Sequence, residues 1–265
     1  MSKREYIKTG KCIWCGRTSP DAKFYTKPHI VPHNMGGDCI GFDICNECNS
    51  YFGTSTRNTP STNLVFKEVF HTIQFFSKTL TPQSYKNYHS AYFRYDYRKN
   101  TIKLRQLLSI NTFTKQFKRS LYEVFLQKYH SVTANAHDAK FNYVRAFARY
   151  ANLVDDLKVY YLYNQVILAP EESYADLPMS ETIIDDIDKY GFFPFWFKGH
   201  FFFLEIDPMK CSLSRDIYLK EQAQQFLISV DGGEGIYEFT NIFQIDFLMN
   251  RFGKTHFDSN FKLRQ

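Results

Sequence analysis

Cys12-Ile13-Trp14-Cys15, Pro28-His29-Ile30-Val31-Pro32, Met35-Gly36-Gly37 and Cys45-Asn46-Glu47-Cys48-Asn49 follow one another between Cys12 and Gly53, and this stretch holds five of the six cysteines of a 265-residue chain. Each Cys-x2-Cys pair turns back on itself and offers two sulfurs to one ion, so two such pairs about thirty residues apart suit a tetrahedral zinc site. The rival reading is two disulfides. That framework belongs to small secreted chains, whereas this chain is long and Met1 to Gly10 lacks a charged-then-apolar signal pattern. Cys12, Cys15, Cys45 and Cys48 are therefore read as ligands of a structural Zn²⁺, a full four-thiolate set that holds the fold and does no chemistry. Trp14 is expected to cover the thiolates, and Cys39 to be a spare thiol.

The residues between the pairs carry the functional signal. Cys12-x2-Cys15, His29-Ile30-Val31-Pro32, Met35-Gly36-Gly37, Cys45-x2-Cys48-Asn49 and Phe52-Gly53 together resemble the zinc-stapled subgroup of the HNH, or ββα-metal, endonuclease family, over about the first fifth of the chain. The resemblance implies that His29 is the general base that deprotonates the attacking water, a task suited to an imidazole with an unperturbed pKa of about 6.5. It implies that Asn49, on the first turn of a helix opening at the second pair, offers its amide oxygen to a catalytic Mg²⁺ or Mn²⁺. It also implies a residue that orients the base through the backbone, for which Asp43 is the nearest candidate. A lone histidine at a strand end is ordinarily a packed, backbone-satisfied residue; set between two cysteine pairs and followed by Ile-Val-Pro and Gly-Gly, His29 reads as functional.

The sequence departs from the family pattern at one place. The position before the base is normally acidic and ligates the catalytic metal, but here it is Pro28. A hard cation held by Asn49 and substrate phosphate alone binds weakly, so a further ligand is sought among His33, Asp38 and Asp43 in the same loop.

Hydrophobic residues make up 44% and aromatics 18% of the chain, which argues for a folded chain throughout. The net charge of +6 is compatible with a phosphate-bearing partner. Its distribution is uneven: nine Lys and Arg residues face a single Asp96 from Lys86 to Arg119, while every charged residue from Glu171 to Asp188 is acidic. Lys103, Arg105, Lys115, Lys118 and Arg119 are the candidate nucleic-acid contacts. The most apolar run, Phe192 to Ile206, is too short and too interrupted to span a bilayer, so the expectation is a cytoplasmic protein without membrane contact.

The expected architecture is α+β. Residues 1–55 form the small zinc-bound, HNH-like hairpin-and-helix module, its helix running from about Asn46 to Gly53. Residues 56–265 form a larger mixed domain with an antiparallel sheet, joined through a linker at Thr54 to Thr62. Beyond the linker, helical spacing is read at Asn63 to Lys78, Thr112 to Tyr129, Lys140 to Tyr150, Leu219 to Phe226 and Ile242 to Phe252. A helix capped by Ser180 and Gly191 fills the interval between those residues. Hairpins are read at Ala91 to Leu108 and Phe192 to Ile206, with two strands within Val159 to Leu168. In the Thr112 helix, Phe113, Phe117, Leu121, Val124 and Phe125 face a core while Lys115, Lys118 and Arg119 face out.

The function expected from these readings is metal-dependent cleavage of nucleic-acid phosphodiesters, DNA in preference to RNA, with a role in restriction, phage defence or mobile-element biology. The larger domain would select substrate or bind a protein partner. The alternative is a zinc-stabilised nucleic-acid-binding or protein-interaction module that has lost its catalytic metal along with the acidic ligand.

Overall fold

The computed structural model describes residues 4–78, 82–105, 108–151, 156–163, 177–225, 235–245 and 247–248. Helix α1 (Asn46–Gly53) forms where the second cysteine pair predicts it. The expected hairpin before it is reduced to isolated bridges, Lys11 to Thr18 and His29 to Ile40, followed by one 3-10 turn at His33–Met35. Pro28 and Pro32 bracket the His29 segment and have no N–H to extend a ladder. Gly37 folds the chain back so closely that a Cβ there would lie 2.3 Å from the Val31 carbonyl oxygen. A regular ββα unit is thus not resolved, although the paired segments and the helix are present.

Helix α2 (Thr62–Lys78) buries Val65, Phe66, Val69, Phe70, Ile73 and Phe76. The β1 (Phe93–Asp96) and β2 (Thr101–Leu104) hairpin turns at the polar residues expected, with Asn100 at positive φ. Helix α3 (Ile110–Thr133) starts on a Ser109 cap and ends at Ala134. Short helix α4 (Asn142–Arg145) runs into a π-helical turn, Ala146–Tyr150. Strand β3 (Val159–Tyr163) is one of the two strands expected there; the rest of that stretch lies outside the described residues. Helix α5 (Glu181–Tyr190) carries the expected caps at Ser180 and Gly191.

Strands β4 (Phe192–Phe197) and β5 (His200–Glu205) form the expected hairpin, turning at Lys198-Gly199. Helix α6 (Pro208–Gln225) begins eleven residues earlier than its sequence pattern suggests, and β6 (Gly235–Glu238) completes the set. Only a 3-10 turn at Ile242–Gln244 is found in the described part of the last expected helix. The sheet order is β4-β5-β3-β6, all antiparallel. The fold is α+β, and among the described residues no helix is long and apolar enough to cross a membrane.

The aromatic strands are apolar on both faces because both faces are covered. Tyr161, Phe193, Phe195, Phe202 and Leu204 join the main core against α2 and α3, whereas Tyr160, Leu162, Phe192, Phe201 and Phe203 pack with Cys211 and Tyr218 of α6. The main core also takes in Cys12, Trp14, Phe24, Cys48 and Phe52, so packing is continuous across residue 55.

Helix α3 is buried on all sides, and this corrects one expectation: Lys118 and Arg119 are 8% and 5% exposed and do not face out. A row at Arg119, Glu123, Gln127 and His130, one helix face, meets the segment that carries the cysteine pairs and its neighbours. Arg119 donates to the Tyr51 hydroxyl, Glu123 accepts from Thr62, and His130 pairs with Asp43. Gln127 lies beside Gly41, where an added Cβ would approach its Oε1 to 3.3 Å. Burial pushes the Glu123 carboxyl up to about 8, only partly countered by Thr62, Arg119 and Gln127.

Glu123 accepts from the Thr62 hydroxyl, which also lies 3.2 Å from the Phe52 carbonyl, and from the Gln127 amide. A carboxyl whose folded pKa lies above its unfolded value stabilises least once both states are ionised, so stability should fall as pH climbs from about 4.5 to about 8. Glu123→Gln keeps an acceptor oxygen and removes the ionisation. Denaturant midpoints measured across that interval should therefore favour the variant increasingly with pH, levelling off above about 8; a constant difference would exclude a buried acid.

Candidate metal centre and nuclease site

The sulfurs of Cys12, Cys15, Cys45 and Cys48 all lie within 4.8 Å of one another, and the Cys15–Cys45 Sγ separation is 3.7 Å. A tetrahedron with Zn–S bonds of about 2.3 Å has edges of about 3.8 Å, while a disulfide needs about 2.05 Å. The donor set and its spacing fit zinc and not a bridge. Mutual hydrogen bonding holds the Cys45 thiol low and pushes Cys12 up to about 12, so the four sulfurs compete for protons when no cation is shared among them. Trp14, between Cys12 and Cys15 in sequence, is buried with its ring 4.8 Å from Phe52, edge to face.

Two arginines donate to the cluster, and no sequence signal pointed to either. Arg17 Nε is 3.3 Å from Cys15 Sγ, and Arg149 Nε, from the π-helical turn, is 3.4 Å from Cys48 Sγ. Zinc with four thiolates carries two net negative charges, and two guanidinium groups offset them.

Asp43 serves this segment as an anchor. It sits at positive φ, fully buried, with its own N–H bonded to the Tyr6 carbonyl and its carbonyl accepting from Ile13. Its carboxylate accepts from the N–H groups of Lys8, Thr9 and Gly10, the Thr9 hydroxyl and His130 Nε2, all at 2.7–3.0 Å. Burial opposes the charge, yet the bonds from His130, Thr9 and Lys8 outweigh it and hold the carboxyl well below the usual carboxylate range. His137 approaches as well, bonding Thr9 through Nε2, so three side chains converge as metal ligands do. The Ala136 N–H donates to His130 Nδ1, however, which leaves the proton on Nε2 facing Asp43. That imidazole is a donor in a closed hydrogen-bond lock and has no lone pair to give a metal.

His29 is half-buried and directly opposite Ile40, with Ile30 N bonded to Cys39 O and Gly41 N to Pro28 O. The backbone facing His29 therefore belongs to residues 39–41, and Asp43 pairs elsewhere. His33 packs edge-on against His29 at 5.8 Å between ring centres and lies 3.6 Å from Asp38, both of the latter side chains largely exposed. Asn49 is half-buried on α1. Asn46, which the motif did not single out, accepts from the N–H groups of Tyr25 and Thr26 and from the Thr26 hydroxyl, and so fixes the chain just before His29 to the start of α1. Among the described residues no third group of converging His, Cys, Asp or Glu ligands surrounds His29.

Residues 12–64 match the HNH endonuclease family. The match spans about a fifth of the chain and ends inside α2. No curated protein and no solved structure matches the chain. The HNH segment thus comprises the cysteine cluster, the His29 loop, α1 and the entry to α2.

The basic residues of the expected nucleic-acid track are engaged within the fold. Lys103 pairs with Asp96 and Lys115 with Asp156, Arg105 donates to the Ser90 carbonyl, and Arg119 to the Ala148 carbonyl. Lys118 is buried, which pulls its pKa down. By contrast Lys23 and Lys27, in the HNH segment just ahead of His29, are exposed, with no ion-pair partner among the described residues.

Full-length protein should carry one zinc per chain by elemental analysis, and Cys48→Ser should lose it together with cooperative unfolding. Asp43→Ala leaves five donors unmatched and puts a Cβ-bearing residue without a carboxylate at positive φ. It should cost about 3–5 kcal/mol in denaturant titration; a loss below about 1 kcal/mol would show that the lock is dispensable.

Proposed function

We propose that the HNH segment is a nucleic-acid phosphodiesterase centre in which His29 is the general base. The observation that carries this reading is a half-exposed imidazole held by backbone pairing to Ile40 in a segment that matches the HNH endonuclease family. His29 takes the proton of a water molecule as its oxygen attacks phosphorus, and the ester oxygen opposite leaves with the bond's electron pair. Lys23 and Lys27 are positioned to meet the flanking phosphates. Asn49, His33 and Asp38 are the donors this chain offers a divalent cation, an amide, an imidazole and one exposed carboxylate. That set makes no preformed cage, so Mg²⁺ or Mn²⁺ is proposed to be completed in its coordination by the substrate phosphate, where it would stabilise growing charge. DNA is proposed ahead of RNA as the substrate, and residues 56–265 as the part that selects it or binds a partner.

Pro28 favours a second reading, a zinc-braced nucleic-acid-binding module without cleavage. One experiment separates the two. Plasmid, single-stranded DNA and RNA are incubated with Mg²⁺ or Mn²⁺ and zinc-loaded protein, alongside His29→Ala and the double variant Lys23→Ala, Lys27→Ala. Cleavage should fall at least a hundredfold in His29→Ala, and the lysine variant should lower the salt slope of binding by about two. Salt-dependent binding without cleavage above the His29→Ala level would leave the binding module standing and remove the enzyme.

A further inference from the structure

A cavity of about 510 Å³ opens on the side of α1 away from Asn49. Glu47, Ser50, Tyr51 and Thr54, one face of that helix, form one wall; residues of the 56–62 segment, Arg119 and Arg149 form the others. Seven of its lining residues carry hydroxyls, although most of the surface they expose is carbon; two guanidinium groups stand against one carboxylate, and that carboxylate, Glu47, is already paired with Arg17. Arg119 is held rigidly by Ala148, Gln116 and Tyr51, so its charge is fixed in the wall. Arg149 lies flat on Tyr51, 3.8 Å from the ring centre, with Nε on Cys48 Sγ. Its two terminal nitrogens have no hydrogen-bond partner among the described residues.

A guanidinium oriented by stacking and by one hydrogen bond, with its terminal N–H groups unfilled, is built for an oxyanion, and phosphate matches that fork. The volume lies within the range of small-ligand sites and admits a group the size of a nucleotide, and the Ser and Thr hydroxyls suit sugar hydroxyls. We propose that this cavity is a binding site for a small phosphate ester of nucleoside-monophosphate size, its phosphate held by Arg149, while the hydroxyl oxygens of Thr54 and Thr56, whose own protons go to the Ser50 and Thr59 carbonyls, accept from the sugar. The site is independent of the cleavage reading, because it uses the opposite face of α1 and none of the residues around His29. Through Arg149 it reaches Cys48 of the sulfur cluster.

The test is calorimetric titration of zinc-loaded, full-length protein with AMP, inorganic phosphate and adenosine. AMP should bind, phosphate more weakly, and adenosine at least about tenfold more weakly than AMP, since the oxyanion carries the recognition. Arg149→Gln should weaken AMP about tenfold or more. Thr56→Glu, which places a like charge in the cavity without touching a zinc ligand, should abolish binding at unchanged zinc content; it decides the matter if Arg149→Gln releases the metal. His29→Ala should bind AMP as the wild type does. No heat from AMP or phosphate at millimolar concentration, equal affinity in Thr56→Glu, or loss of binding in His29→Ala, each overturns the proposal.

Discussion

Four sulfurs at tetrahedral spacing close a loop of about thirty residues that has almost no regular structure of its own. The His29 segment and its partner at 39–41 form a single bridge, bracketed by prolines, and a two-residue pairing of that kind is unstable alone. The thiolate cluster fixes the two ends of the loop, the N-terminal strand-like lead-in and the start of α1. Asp43, two residues before Cys45, ties the end of the loop to the lead-in and to α3 by gathering the N–H groups of residues 8–10 and His130. The sulfur cluster sets the local geometry, and the carboxylate sets where that geometry sits on α3.

That division explains what the sequence could convey. Cysteine spacing is a local signal, and it located the four-sulfur cluster and α1. Periodicity located α2, the two hairpins and the caps of α5, since each rests on residues close in the chain. Both faces of the aromatic sheet are covered, which the continuous apolar runs of β4 and β5 already hinted at. The length of α6 was missed because its first two turns show Met209 and Leu213 to solvent and so lack an amphipathic pattern.

Helix α3 misled for a related reason. Its apolar stripe was read correctly, but charged residues on the remaining faces were assigned to solvent, the usual place for Lys and Arg. In a helix enclosed by the sheet, α2 and the HNH segment, those residues are instead the polar contacts between parts distant in sequence. Arg119 reaches Tyr51, Glu123 reaches Thr62, and His130 reaches Asp43, across 68, 61 and 87 residues. No windowed pattern encodes partners that far apart. The same holds for Arg149, whose link to Cys48 crosses 101 residues. Asp43 shows the cost of reading by proximity in sequence: it stands near the motif, yet its groups face α3 and the lead-in and not the histidine.

The arrangement also separates what keeps the HNH segment folded from what would let it cut. Stability is drawn from the sulfur cluster, from the Asp43 lock and from burial of Trp14 and Phe52, none of which involves the position before His29. Pro28 is buried against the same loop, with its ring near Gly41, so at that position packing has taken the place of a ligand. An acid there would have added cation affinity at the expense of a desolvated charge beside an apolar core. The scaffold therefore presents its imidazole whether or not a second cation is bound. Under the proposed reading a cation would arrive together with the phosphate, because the donors near His29 form no preformed cage.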